Sequence, residues 1–170
     1  MSSAVDTIAL DVGSVCAAVL ERVVNRLDEC ERPVRQAYVG AGLVAWDDCC
    51  GMLVVAPERI YRTAIFPIEG PDAQGCYDGL IAVSLVVLLV RCVPVLDDSG
   101  RAPTPEALGT AYGEVLSDAG LVWNELSSWP EGWESAGQSQ TFIGAEGGCI
   151  GVESRITVGL DQELWCPACE

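Results

Sequence analysis

Histidine and lysine are both missing from this chain. Without histidine the sequence lacks the most frequent general base and the most frequent metal ligand. It therefore has no Ser-His or Cys-His pair to activate a nucleophile, and no G-x-S-x-G elbow. P-loop and dinucleotide fingerprints are missing too. Without lysine, all nine basic residues are arginine, against 25 acidic residues, a formal net charge of −16. That balance disfavours an exterior that grips phosphates or anionic membrane surfaces. The opening Met1-Ser2-Ser3-Ala4-Val5-Asp6-Thr7 lacks a basic n-region, so no secretory signal is expected. The long apolar run Leu80 to Val90 is too short to cross ~30 Å of hydrocarbon as a helix. Its β-branched residues and the Arg91 that closes it fit a buried strand.

What is present is enough for a core. The chain has 170 residues, 50% of them apolar. A domain near this size buries roughly 70% of its unfolded surface and needs no staples. We expect one domain over 1–161 and a short tail over 162–170. The first segment is amphipathic: Val5, Ile8, Val12, Val15, Cys16, Val19, Val23 and Leu27 recur at helical steps. Ser3 with Asp6 fits a capping-box start, and Pro33 stops the helix. Strand-like segments follow at 35–40, 51–62 and 80–93. Pro57 interrupts the second, which points to a bulge or an edge. The third is apolar on both faces, so it is expected to be central and covered by helices.

Asp97-Asp98-Ser99-Gly100 forms a turn. Thr104 and Pro105 then open a second helix as N-cap and first helical residue. Its expected stripe runs Ala107, Leu108, Ala111, Tyr112, Val115, Leu116, Ala119, Val122, Trp123 and Leu126. Residues 127–139 are expected as a loop carrying two exposed tryptophans, Trp129 and Trp133. Segments 140–145 and 150–160 form a hairpin about Gly147-Gly148. The expected class is α+β: a mainly antiparallel sheet flanked by an N-terminal helix and a second long helix, with a C-terminal hairpin.

Nine cysteines remain to be explained. Cys16 and Cys92 are expected as small buried hydrophobes. Cys166 and Cys169 form the one C-x-x-C. A zinc site usually needs two such pairs, and a redox motif should open a helix after a strand. Reduced, scattered thiols are the leading expectation, with at least one structural disulfide the next. Asp47-Asp48 and Asp97-Asp98 could contribute to a cation cage but fit solvated turns better. No cofactor and no metal are expected.

Several short motifs carry a resemblance. They are Val44-Ala45-Trp46-Asp47-Asp48-Cys49-Cys50-Gly51 with Leu53 and Val55, Ile60-Tyr61-Arg62-Thr63, Phe66-Pro67, and Val90-Arg91-Cys92 with Pro94. To these add Asp118-Ala119 in the second helix, Gly147-Gly148-Cys149 with Gly151, and the closing Thr157-Val158-Gly159-Leu160. Together they resemble small neck and tail proteins of phages infecting actinobacteria. The element order is similar to the tail terminator family of long-tailed phages, which includes the minor tail protein U of phage lambda. The resemblance implies a structural virion protein of the neck, assembled in the host cytoplasm, and not an enzyme. It implies a homohexameric ring that caps the tail tube protein, ends tail elongation and docks to the head-completion (stopper) protein. DNA is transient cargo through the lumen, and no membrane is involved. An acidic lumen would let DNA slide without sticking.

Candidate interface positions are Pro57 on an edge strand, Cys76, and Asp97, Asp98 and Arg101 in the 97–103 loop. Trp129 and Trp133 could bury in a partner or fold back onto their own domain, and Trp165 lies in the tail. The alternatives are another neck component (stopper or connector adaptor), a zinc-binding or thiol redox protein using Cys166 and Cys169, and an acidic DNA mimic.

Overall fold

The computed structural model describes residues 12–41, 50–70, 80–129 and 134–161. Helix α1 (Val12–Glu29) leads into β1 (Gln36–Val39), β2 (Met52–Thr63) and β3 (Leu80–Cys92). Helix α2 (Pro105–Ser127), β4 (Glu134–Glu146) and β5 (Cys149–Asp161) complete the order. The five strands form one sheet in the order β1-β2-β3-β5-β4. Only β1 and β2 run parallel; the other pairs are antiparallel. The class is α+β, as the sequence led us to expect.

β3 is central, because its apolar run is suited to burial on both sides. Leu53, Val55, Ile81, Val83, Leu85, Val87, Leu89, Val152, Ile156, Val158 and Leu160 stand on one face of the sheet and form its core. Both helices cover that face. α1 contributes Val15, Cys16, Val19, Val23 and Leu27, and α2 contributes Ala119, Val122 and Leu126. Among the described residues no helix covers the second face of β3. Met52, Val54, Leu88, Val90 and Cys149 are nonetheless buried there.

Local chemistry sets the ends. The Thr104 hydroxyl accepts from the Ala107 N–H at 3.3 Å, and Pro105 opens α2 as its type predicts. α1 ends before Pro33 in a turn where Glu31 takes φ 57° and the Arg32 N–H donates to the Leu27 carbonyl at 2.8 Å. Gly147 and Gly148 have φ of 57° and 83°, the conformation a two-residue hairpin demands and glycine supplies freely. At Gly151 the neighbouring strand approaches closely: an added Cβ would sit 2.7 Å from the Leu89 carbonyl oxygen.

Two features differ from expectation. The 127–139 loop is shorter, because β4 begins at Glu134. Gly137 at φ 67° sits in a bulge between Ala136 and Ser139, so the strand runs through a glycine that resembles a break. The stripe of α2 is also narrower than expected. Tyr112, Leu116 and Trp123 are 42%, 59% and 40% exposed. A helix lying on one sheet buries one arc of its surface, and ten apolar positions exceed it.

Candidate functional site

One charged cluster locks the fold. Asp118, on the buried side of α2, is 0% exposed. Its Oδ1 accepts from Arg32 Nε, and its Oδ2 accepts from Arg91 Nε at 2.7 Å. Arg91 also donates to the Pro33 and Arg32 carbonyls at 2.7 and 2.8 Å, and Arg32 to the Glu114 carbonyl at 2.8 Å. Hydrogen bonding to Asp118 holds the Arg32 guanidinium charged, its pKa raised, against the opposing effect of burial. The cluster joins the end of α1, the end of β3 and the middle of α2. Each charge donates to or accepts from several partners, the condition under which a buried ion pair is tolerated. The sequence signal was an acid inside an apolar helical stripe; Asp118-Ala119 entered as a motif of the resemblance, with no charge partner read for it.

A second cluster is sulfur. Cys50 and Cys92 are joined by a disulfide, with Cα atoms 4.7 Å apart. Cys92 stands opposite Cys149 in the register of β3 and β5, and Cys149 is disulfide-bonded as well. The expectation of scattered reduced thiols fails here, because register brings distant cysteines to one end of the sheet. Cys92 is therefore exposed and oxidised, not a buried hydrophobe. Cys16 is buried, as expected, and Cys30 is a free thiol at intermediate exposure. Among the described residues no group of three or more His, Cys, Asp or Glu is placed to hold a metal. Cys166, Cys169 and Asp47-Asp48 lie outside the described residues.

The candidate interface residues are spread over the molecule. Pro57 sits at a bulge in β2, as its type predicted. β1 pairs with Met52–Val55, so among the described residues β2 from Ala56 onward has no strand on its outer side. Asp97, Asp98 and Arg101 are exposed on a closed turn. Asp97 Oδ1 accepts from the Ser99 N–H, the Ser99 hydroxyl and the Arg101 N–H at 2.9, 2.7 and 2.8 Å. The hydrogen bond from the Arg101 backbone, with those from Ser99, holds this carboxyl below its ordinary value. Trp129 is not exposed as expected. It is half-buried, packs against the main core, and has the Arg22 guanidinium 5.6 Å from its ring centre. Cys76, Trp133 and Trp165 lie outside the described residues.

The surfaces not expected from the sequence are at the sheet edges. β4 is an edge strand of 13 residues with mostly exposed side chains. Beside it, Tyr112, Val115 and Leu116 of α2 and Phe142, Ile143 and Ile150 of the hairpin line a groove of about 270 Å³. Phe142 is 53% exposed. Gln140 ties the strand to the helix, donating to the Ala119 carbonyl at 3.0 Å and the Ser154 hydroxyl at 2.9 Å. Among the described residues the arrangement offers apolar area beside a backbone edge without a further strand, features suited to contact with another surface.

No protein-family model matches the chain, and no curated protein matches it in sequence. No helix among the described residues is long and apolar enough to cross a membrane.

Proposed function

We propose that this protein is a structural part of the virus particle, the tail terminator of a long-tailed phage. It forms a ring that caps the tail tube protein, ends tail elongation and joins the tail to the head-completion (stopper) protein. DNA passes through the centre as transient cargo. The protein acts in the virion by assembly and not by catalysis.

The observation that carries this reading is the sheet of the described residues: five strands, open, with both helices on one face and a long edge strand, β4, that no further described strand pairs. Such a sheet has edges for lateral assembly. A stopper, as a small β-barrel, has its edges closed, and a connector adaptor is mostly helical; neither description fits this fold. The motif resemblance supports the same reading. So does the net charge of −16, which repels a polyanion travelling past it.

The test is electron microscopy of particles from a phage with a stop codon early in this gene. Overlong, unattached tails beside filled heads are the expected result. Tails of normal length that fail to join heads would assign the protein to another neck position. Intact infectious particles would remove it from the neck.

A further inference from the structure

Sulfur collects at one end of the sheet, and there a single cysteine has two partners within reach. Cys50 and Cys92 are joined, with Cα atoms 4.7 Å apart. Cys149 stands directly opposite Cys92 in the register of β3 and β5 and is itself disulfide-bonded. Directly opposed residues project from the same face of a sheet, and Cys149 lies on the second face with Leu88 and Val90. Beyond them Val93 and Gly148 are hydrogen-bonded: the Val93 N–H donates to the Gly148 carbonyl at 2.9 Å. Pairs alternate along an antiparallel ladder, so Cys92 and Cys149 form a non-hydrogen-bonded pair, the kind whose Cα atoms approach to about 4.5 Å. That separation falls inside the roughly 4.4–6.8 Å window of a disulfide. The ladder therefore accommodates Cys92 bonded to Cys50 or to Cys149 without moving a strand.

We propose that Cys92 is the shared sulfur of a thiol–disulfide exchange site that a small anionic thiol opens. Access differs between its two partners. Cys92 is exposed and Cys50 half-buried, whereas Cys149 is 3% exposed. A small thiol thus meets the outer disulfide before the inner one. Charge selects an anion. A Cβ added at Gly51, the residue after Cys50, would lie 3.4 Å from Arg35 Cγ and 3.5 Å from Arg91 Nη1. Arg35 is exposed and forms no ion pair with another described residue. On a chain of net charge −16, Arg32, Arg35 and Arg91 gather at this end, with buried Asp118 between two of them. Cationic surroundings attract an anionic thiol and favour the thiolate that opening releases.

The steps balance. The incoming thiolate attacks the Cys50 sulfur, forms a mixed disulfide there and expels the Cys92 thiolate. The Cys92 thiolate attacks the Cys149 sulfur, forms the Cys92–Cys149 bond and expels the cysteine that Cys149 held, which takes up a proton. A second small thiol attacks its fellow's sulfur in the mixed disulfide, frees Cys50 as a thiol and leaves with it as the oxidised dimer. Two electrons and two protons pass from two small thiols to the protein, and one disulfide remains where two stood. The oxidised dimer drives the reverse. The outcome frees the chain entering β2 from β3 and cross-links β3 to β5. This site goes beyond the neck reading above and does not rest on it.

The test uses the whole folded chain in glutathione buffers of graded reducing strength, with thiols trapped by alkylation and pairs mapped by peptide mass spectrometry. The Cys50–Cys92 pair is expected to fall first, and a Cys92–Cys149 pair to rise before full reduction. In urea, with the register gone, the Cys92–Cys149 pair should be roughly tenfold rarer. Should Cys50–Cys92 outlast the other disulfides, or vanish with no Cys92–Cys149 pair at any buffer ratio, the exchange is overturned. Equal yields from folded and unfolded chain would overturn it too, as chance reshuffling. Oxidised Cys50→Ser is expected to hold Cys92 bonded to Cys149, and a free Cys92 thiol there would refute the shared sulfur. If circular dichroism shows that variant misfolded, the wild-type titration decides. Arg35→Glu should slow opening by glutathione several-fold and leave opening by uncharged 2-mercaptoethanol unchanged. The same rate with glutathione, or equal slowing with both thiols, would overturn the selection of an anion.

Discussion

β3 and β4 have the same length, 13 residues each, and opposite fates. β3 is paired with β5 along its whole length and with β2 from Leu80 to Val90, and it is buried at eight positions. β4 is paired on one side, carries two bulges and has no fully buried residue. Strand length therefore says little about position. What separates the two is side-chain chemistry: continuous Val and Leu in β3, and alternating Ser, Gln, Thr and Gly in β4. The only large apolar residues of β4, Phe142 and Ile143, fall where α2 presents its own exposed stripe.

The widest gap between centre and edge should be energetic. Leu89→Ala, at the centre, is expected to destabilise by about 2–5 kcal/mol, because it leaves a cavity that close packing cannot fill. Phe142→Ala or Leu116→Ala, at the edge, should change stability by less than about 1 kcal/mol in the monomer. Urea denaturation measures both, and similar losses at the two places would erase the distinction. Next is Asp118→Ala, expected to destabilise by about 3 kcal/mol by leaving Arg32 and Arg91 without their shared carboxylate. A loss below about 1 kcal/mol would mean that the cluster is solvated.

The Cys50–Cys92 link spans 42 residues, and Cys92→Ser should lower stability by about 2–4 kcal/mol when the chain is oxidised. In excess reductant wild type and variant should unfold together; a difference that persists there would assign the effect to packing. The smallest effect belongs to the exposed turn. Asp97 is held below its ordinary value of 3.8, so its turn is intact above that pH. The turn loosens only as pH falls through the lower folded value. The Ser99 and Arg101 amide shifts should follow that titration by NMR, and a midpoint at or above 3.8 would refute the bonding described.

Much of the fold was legible in local pattern. The α1 stripe, the Thr104–Pro105 start of α2, the central position of Leu80 to Val90 and the Gly147-Gly148 hairpin all follow from period and turn chemistry. The site was less legible. The edge position near Pro57 was read from one residue type, since proline lacks the N–H that an inner ladder needs. Tyr112, Leu116 and Trp123 were assigned to the buried stripe because apolar spacing does not say which arc of a helix meets the sheet.

The sequence by itself determined the class, the stop of α1, the start of α2 and the central strand, because periodicity, capping and proline act within a few residues; the capping-box start at Ser3 and Asp6 lies outside the described residues. Only the tertiary structure decided the rest. Strand register set Cys92 against Cys149 and brought Cys50 to the same end of the sheet. The packing of α2 turned Asp118 toward Arg32 and Arg91 and left Tyr112, Leu116 and Trp123 facing out. These contacts join residues far apart in the chain, and no local rule encodes which of several similar side chains will meet.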